Sequence, residues 1–255
     1  MKISVITVCR NAAHTIGDTL ESVATQGYAD VEHIVVDGGS NDGTLDIIRA
    51  RGARVAQLIS EPDRGIYDAM NKGIALATGD IVGTLNADDV YRDDTVLSQV
   101  AEVFSDPTVD ACFADLLYVR QDDPSSIVRY WKSSEYRDGL FERGWMPAHP
   151  TFFVRRRVYE QFGGFDLDYP RQADFELTMR FLALHKIKSV YVPRIWVSMR
   201  MGGVSNNSWM GVLKGNLEAY RACEKNGLNV GVTFIPRKIL SRLPQFFRTP
   251  ESVGN

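Results

Sequence analysis

Between Ile3 and Leu85, short apolar runs rich in β-branched residues alternate with segments of helical period. Ile3–Val8 leads through Arg10-Asn11 into a helical pattern from His14 to Gln26. Val31–Val36 ends at Asp37 and the turn Gly38-Gly39-Ser40, after which Asn41-Asp42-Gly43-Thr44 opens a helix carrying Leu45, Ile47 and Ile48. Val55–Ile59, a helix over Ile66–Ala77 and a strand over Ile81–Leu85 complete the series. Strands this short, each followed by a helix, pair in parallel and are covered on both faces. Ligands of such sheets bind beyond the carboxyl ends of the strands. One edge therefore gathers Arg10-Asn11, Asp37-Gly38-Gly39 and Asn86-Ala87-Asp88-Asp89.

Beyond residue 110 the alternation changes. Asp110–Val119, Ser126–Trp131 and Thr151–Val154 predict strands, Asp174–His185 a helix, and Lys188–Val192 and Ile195–Met199 two further strands. No repeat or low-complexity linker divides the chain, so one α/β domain over residues 1–225 is expected, its second half covering the sheet edge. Residues 226–255 form a tail of different charge. From Lys225 to Pro250 there are five basic residues (Lys225, Arg237, Lys238, Arg242, Arg248) and no acidic ones, interleaved with Ile239, Leu240, Leu243, Phe246 and Phe247.

Composition narrows the function classes. The 255 residues are 44% hydrophobic and 24% charged with a net charge of -3, which offers no basic excess for nucleic acid. Cys9, Cys112 and Cys223 are odd in number and form no CxxC pair, which excludes a disulfide framework or a zinc motif and fits a reducing compartment. The apolar run after Lys2 is too short for a signal peptide, and no stretch approaches the roughly 18 apolar residues of a membrane span. The expectation is a cytoplasmic protein.

If Asp37, Asp88 and Asp89 share one pocket, their like charges need a partner cation to stay ionised together. Mg2+ or Mn2+ suits such a pocket, because hard ions take oxygen ligands and keep places for substrate phosphates. The alternative, that Asp88 or Asp89 only caps the next helix, stays open at this point. The turn after the first strand, Val8-Cys9-Arg10-Asn11-Ala12-Ala13, carries no glycine, and no G-x-x-x-x-G-K-[ST] occurs. Dinucleotide-binding and P-loop chemistries are therefore excluded.

Four strings in order resemble the family 2 glycosyltransferases. They are Ser4-Val5-Ile6-Thr7-Val8-Cys9-Arg10-Asn11, Val35 to Thr44 (VVDGGSNDGT), Glu61 to Gly73 (EPDRGIYDAMNKG) and Asn86-Ala87-Asp88-Asp89. The third is similar to bacterial enzymes that build exopolysaccharide, colanic-acid-type or cell-envelope glycolipid sugars. The resemblance runs from residue 3 to about residue 205. It implies a GT-A fold, meaning a Rossmann-like, mixed but mainly parallel sheet flanked by helices, and an inverting transfer. Residues 1–110 would be the nucleotide-sugar-binding half and 111–205 the acceptor and catalytic half.

The resemblance also implies roles. Asp37 matches the aspartate that bonds the nucleotide base, with Thr7 and Arg10 along the same pocket. Asp63 and Arg64 lie where the family chain passes base and ribose, and Asn86 replaces an acid, so it would bond ribose or backbone. Asp88 and Asp89 match the metal motif, with Asp89 placed ahead of Asp88 as ligand. Asp174 matches the catalytic base, although Ala173 stands where the family usually has Glu. These roles agree with the reaction. A hydroxyl must lose its proton to a general base as it attacks, and a divalent ion stabilises the leaving diphosphate.

Other positions have weaker claims. His149 resembles a segment near the acceptor, Gly163-Gly164-Phe165-Asp166 a turn before the base helix, and Asp115 ends a strand that faces the acceptor. Arg200 and Ser205 bracket a glycine-containing segment similar to a loop that closes over the diphosphate. The expected partners are a nucleotide-diphosphate sugar, UDP-linked by preference, and a saccharide or lipid-linked acceptor. The basic tail suits peripheral contact with the cytoplasmic face of the inner membrane, and equally a helix packed on the domain. Two rival readings are a sugar-nucleotidyltransferase, which wants a glycine-rich basic loop absent after the first strand, and a non-catalytic nucleotide-sugar-binding protein.

Overall fold

Burial follows the period of each segment. Every residue of β1 (Ile3–Cys9) is buried, as is β2 (Val31–Asp37) from its second residue onward and β4 (Ile81–Asn86) up to Leu85. β3 (Val55–Ser60) instead alternates half-buried and exposed residues, as an edge strand does. The computed structural model describes residues 1–202, 209–231, 233–241 and 245. Four strands are parallel neighbours in the order β3-β2-β1-β4, joined by α1 (Ile16–Ala24), α2 (Thr44–Arg51) and α3 (Ile66–Leu76).

The sheet then continues through β8 (Phe153–Arg155), β6 (Ala111–Val119), β9 (Ser189–Arg200) and β5 (Asp89–Tyr91), with β7 (Ile127–Trp131) paired to β6. β8 is antiparallel to β4 and β6, β5 to β9 and β7 to β6, whereas β6 and β9 are parallel. The result is the mixed, mainly parallel sheet flanked by helices that the sequence predicts.

Alternation along the strands builds two apolar layers. Ile6, Val8, Ile34, Val36 and Val82 face one layer, with α3, α5 (Arg156–Phe162) and α6 (Ala173–Met179). Ile3, Val5, Ile81 and Leu85 face the other, against Val96, Leu97 and Val100 of α4 (Val96–Val103). Helix α3 lies very close to the sheet: a Cβ on Gly73 would collide with the Ile6 side chain. Only glycine lets the helix approach so closely.

Three elements differ from the sequence expectation. The two strands expected over 188–199 are one strand, β9, which keeps its pairing with β6 across a bulge between Tyr191 and Ile195. Pro193 falls in that bulge, where its missing N–H breaks no ladder bond. The helix expected to run to His185 is α-helical to Met179 and then makes one wider π-helical turn, Arg180–Leu184. There the Arg180 guanidinium reaches Glu176 and the carbonyls of Phe162 and Gly164. Thr151 lies in a 3₁₀ turn, and the strand begins only at Phe153.

Two helices close the described chain, α7 (Trp209–Lys225) and α8 (Phe234–Leu240). Phe234 is buried against Phe175 of α6 and Tyr220 of α7. Pro236 fits because it stands in the first turn of α8, where N–H groups lack intrahelical acceptors. Lys238 is buried, donates to Gln172 Oε1 at 2.6 Å and sits 4.1 Å from the Phe175 ring centre. One of the five basic residues counted near the C-terminus therefore serves the interior. No helix among the described residues is long and apolar enough to cross a membrane.

Candidate functional site

The register aligns the strand ends. Cys9 pairs with Asp37, Asp37 with Ser60, and Val8 with Asn86, so the three polar clusters share one sheet edge.

At the β2 end the Asp37 carboxylate is fully buried. It accepts the Gly39 and Ser40 backbone N–H groups at 3.1 and 3.0 Å, the Ser60 hydroxyl at 2.7 Å, the Ser40 hydroxyl and the Cys9 thiol. Burial pushes this acid up, but the bonds from Ser40, Ser60 and Cys9 outweigh it and hold the group below its ordinary value. Asp37 thus shapes the turn that follows it. A Cβ on Gly38 would strike the Asp63 carboxylate and lie against the Arg10 side chain, so this glycine lets the two close around the turn. Asp63 is half-buried and Arg10 exposed, both within reach of a ligand at this corner. Arg64 is exposed and pairs with Asp68 at 2.9 Å.

Thr7 does not join this edge. It lies two residues inside β1, is fully buried, and shares a hydrogen bond with His33 Nε2 at 2.9 Å. Burial lowers His33 to about 4, so the ring is neutral at physiological pH. Depth explains the misplacement: Thr7 stands two residues short of the end of β1, on the same face as Cys9 and Asp37, and its hydroxyl is taken up by buried His33.

The β4 end is wired differently. Asp89 is fully buried, and Asn86 Nδ2 donates to its Oδ2 at 3.0 Å. Among the described residues Asp89 Oδ1 and Asn86 Oδ1 are buried with no hydrogen-bond partner. Burial, then the neighbouring Asp88 charge, push Asp89 well above the usual carboxylate range, although Asn86 and Arg200 pull the other way. Asp88 is half-exposed and is also raised by burial, with Arg200 opposing.

Arg200, at the end of β9, donates from Nη2 to Asp18 Oδ2 at 2.6 Å, while its Nε and Nη1 are buried without partners among the described residues. Unpaired hard oxygens beside a half-exposed carboxylate are donors that suit Mg2+ or Mn2+. No group of three or more His, Cys, Asp or Glu side chains that could hold an ion occurs among the described residues. Ser205 lies outside them.

A second cluster sits under the same face. Thr84 and Asn86 are two apart on β4 and so point to one side of the sheet. Thr84 Oγ1 and His149 Nε2 share a hydrogen bond at 3.2 Å, and His149 Nδ1 is buried without a partner among the described residues. Burial lowers the basicity of His149, with the charge of Asp174 opposing. His149 stands edge-on to Phe165 at 5.6 Å, and Phe165 stacks on Tyr67 at 5.3 Å.

The Tyr67 hydroxyl donates to Asp174 Oδ1 at 3.0 Å, and the Phe175 N–H donates to the same oxygen at 2.8 Å. Asp174 is half-exposed in the first turn of α6, whose N-cap is Gln172. The structure thus brings His149 and Asp174 to one cluster. Asp115 is withdrawn from it: buried in β6, it accepts Tyr130, the Ser133 N–H and Tyr191.

Sequence reasoning assigned no role to Tyr67, Asn71 or Phe165. Asn71 donates to Phe165 O and accepts Phe165 N, each at 2.8 Å. A signal did exist: Tyr67 and Asn71 stand four apart, which puts two polar groups on one face of α3.

Residues 4–163 match the family model described as glycosyl transferase family 2. A PGL/p-HBAD biosynthesis glycosyltransferase of Mycobacterium bovis is 29% identical over 246 residues, covering 94% of this chain and 92% of that one. An uncharacterized glycosyltransferase of Mycobacterium tuberculosis is 32% identical over 187 residues, covering 70% and 68%.

Among solved structures, a mannosyltransferase from Pyrobaculum calidifontis in complex with GDP-Man and Mn2+ superposes with a TM-score of 0.65 at 21% identity, covering 94% of this chain and 69% of that one. S. aureus TarS 1-349 in complex with UDP-GlcNAc gives 0.65 at 16% identity, covering 97% and 73%. The fold is thus that of the GT-A glycosyltransferases, and the chain belongs to glycosyl transferase family 2.

Proposed function

We propose that this glycosyltransferase moves a sugar, with inversion, from a nucleotide-diphosphate sugar to a hydroxyl of a saccharide or lipid-linked acceptor in bacterial polysaccharide or glycolipid synthesis. A UDP-linked donor is the preferred reading. The observation that carries it is Asp174, a half-exposed carboxylate whose Oδ1 is fixed by two donors and whose Oδ2 accepts from no described residue. In a single displacement the acceptor oxygen bonds to the anomeric carbon as the bond to the diphosphate breaks. The electron pair leaves with the nucleoside diphosphate, and the acceptor proton passes to Asp174.

The donor end belongs to the strand edge. Asp63, Arg10 and Arg64 surround the corner for base and ribose, with Asp37 holding the turn in shape. At the β4 end the half-exposed Asp88 is the carboxylate within reach of an ion, and buried Asp89 stands behind it with Asn86. That reverses the preference drawn from sequence. Mn2+ or Mg2+ held there would stabilise charge on the leaving diphosphate. Arg200 Nε and Nη1, buried without a partner among the described residues, are suited to the same anion. Support comes from the Mn2+ and GDP-Man of one structural neighbour and the UDP-GlcNAc of another.

Residues 1–110 would then serve the donor and 111–205 the acceptor, within a cytoplasmic enzyme that touches the membrane peripherally through the basic tail. The relative named as a PGL/p-HBAD biosynthesis glycosyltransferase supports a biosynthetic role for the transfer.

The test is a panel of UDP-glucose, UDP-galactose, UDP-N-acetylglucosamine and GDP-mannose, with Mn2+ or with chelator, read by thermal shift and released nucleoside diphosphate. One donor should give a metal-dependent shift and slow hydrolysis. Asp174→Asn should keep the shift and lose about 10²- to 10⁴-fold in release. No metal-dependent response to any donor overturns the proposal.

A further inference from the structure

We infer that Tyr67 is a positioning residue for Asp174, fixing which carboxylate oxygen takes the acceptor proton. The inference rests on the base assignment above. An aspartate has two rotatable bonds, and its two oxygens are equivalent unless the protein distinguishes them. Here it does. Oδ1 accepts the Tyr67 hydroxyl at 3.0 Å and the Phe175 N–H at 2.8 Å, while Oδ2 accepts from no described residue. An oxygen that already receives two hydrogen bonds is a poor proton acceptor, so Oδ2 is left for the proton.

The clamp itself is held in place. The Tyr67 ring stacks on Phe165 at 5.3 Å, and Phe165 is pinned through both its backbone N–H and its carbonyl by Asn71. Tyr67 and Asn71 are one helical turn apart on α3, and Gly73 of the same helix rests on Ile6 of β1. A helix packed against the donor sheet thus sets the geometry of a carboxylate on α6, 107 residues further along the chain. Burial, and next the Asp174 charge, push the phenol well above its ordinary value, so Tyr67 remains a donor throughout the working pH range.

When the attacking hydroxyl is that of water, its oxygen bonds to the anomeric carbon, the bond to the diphosphate breaks, and the water proton passes to Oδ2. Donor hydrolysis therefore reads the same proton transfer without an identified acceptor.

The experiment compares wild type, Tyr67→Phe, Asp174→Asn and the double variant. The probe is whichever of UDP-glucose, UDP-galactose, UDP-N-acetylglucosamine or GDP-mannose the wild type hydrolyses fastest. Tyr67→Phe keeps the ring on Phe165 and deletes only the hydroxyl. The expected result is a fall in kcat of about 10- to 100-fold, the range that small misplacements of a reacting group produce. Donor KM should move less than about twofold, and the double variant should be no slower than Asp174→Asn alone, as coupled residues behave.

If Asp174→Asn abolishes hydrolysis while Tyr67→Phe stays within twofold of wild type, the positioning role is wrong and the base assignment stands. If Asp174→Asn hydrolyses normally, the base assignment itself fails. A Tyr67→Phe protein whose rate loss is matched by a collapse of its thermal midpoint, or by additive losses in the double variant, assigns the hydroxyl a purely structural role and overturns the inference.

Discussion

Asp37 ends β2 and Asp89 follows the end of β4, the two strands that flank β1, and both are fully buried. Their surroundings differ. Asp37 receives hydrogen bonds from Gly39, Ser40, Ser60 and Cys9, and is held below its ordinary value. Asp89 receives Asn86 on one oxygen, leaves the other unpartnered among the described residues, and is pushed well above its ordinary value. Neither is exposed, but Asp89 lies deeper, so its heavier desolvation and its poorer set of partners act together. A fully bonded carboxylate builds structure. An underbonded one beside half-exposed Asp88 and buried Arg200 keeps unused capacity for a charged ligand.

The largest effect tests the bonded member. Asp37→Ala leaves several buried donors without an acceptor and should cost about 3–5 kcal/mol by urea unfolding, the range for breaking a buried charged network. Because Asp37 is depressed in the fold, its contribution is present at neutral pH and is lost on acidification below the usual carboxylate range. The difference between wild type and Asp37→Asn should therefore narrow as pH falls. A substitution cost under about 1 kcal/mol would break the comparison.

The next effect concerns the exposed neighbour. With donor and Mn2+ at about 100 times Kd, wild type should gain about 2–3 kcal/mol of stability. Asp88→Asn should lose most of that gain while its ion-free stability stays within about 0.5 kcal/mol of wild type. An undiminished ion response in Asp88→Asn would shift the ligand role back toward Asp89.

The smallest effect belongs to Asp89. Its raised value means that ionising it opposes folding, so its stabilising, protonated form is lost as pH rises. Asp89→Asn without divalent ion should change stability by less than about 1 kcal/mol near neutrality. It should compare more favourably with wild type at pH 8 than at pH 5. The opposite slopes expected for Asp37→Asn and Asp89→Asn sharpen the contrast more than either midpoint alone.

Much of this site was legible in the chain, and the illegible part has a consistent cause. The strand ends were readable because each βα unit announces its own boundary: an apolar β-branched run, then Arg10-Asn11, Asp37-Gly38 or Asn86 to Asp89. Thr7 was misplaced because it stands two residues short of the strand end and bonds to buried His33, and proximity to Arg10 in sequence does not report that depth. Tyr67 and Phe165 received no role because their meaning lies in contacts with Asp174, His149 and Asn71, far along the chain. β9 read as two strands because Pro193 is a breaker locally, whereas the pairing with β6 continues on both sides of the bulge.

By itself, the sequence determined the alternation of elements, the single polar edge and the ordered motifs of the family, since local period and strand-end chemistry are short-range properties. Tertiary structure decided which acids are satisfied, which is half-exposed and which tyrosine meets Asp174. Burial and hydrogen bonding depend on groups that only folding brings within about 3 Å of one another.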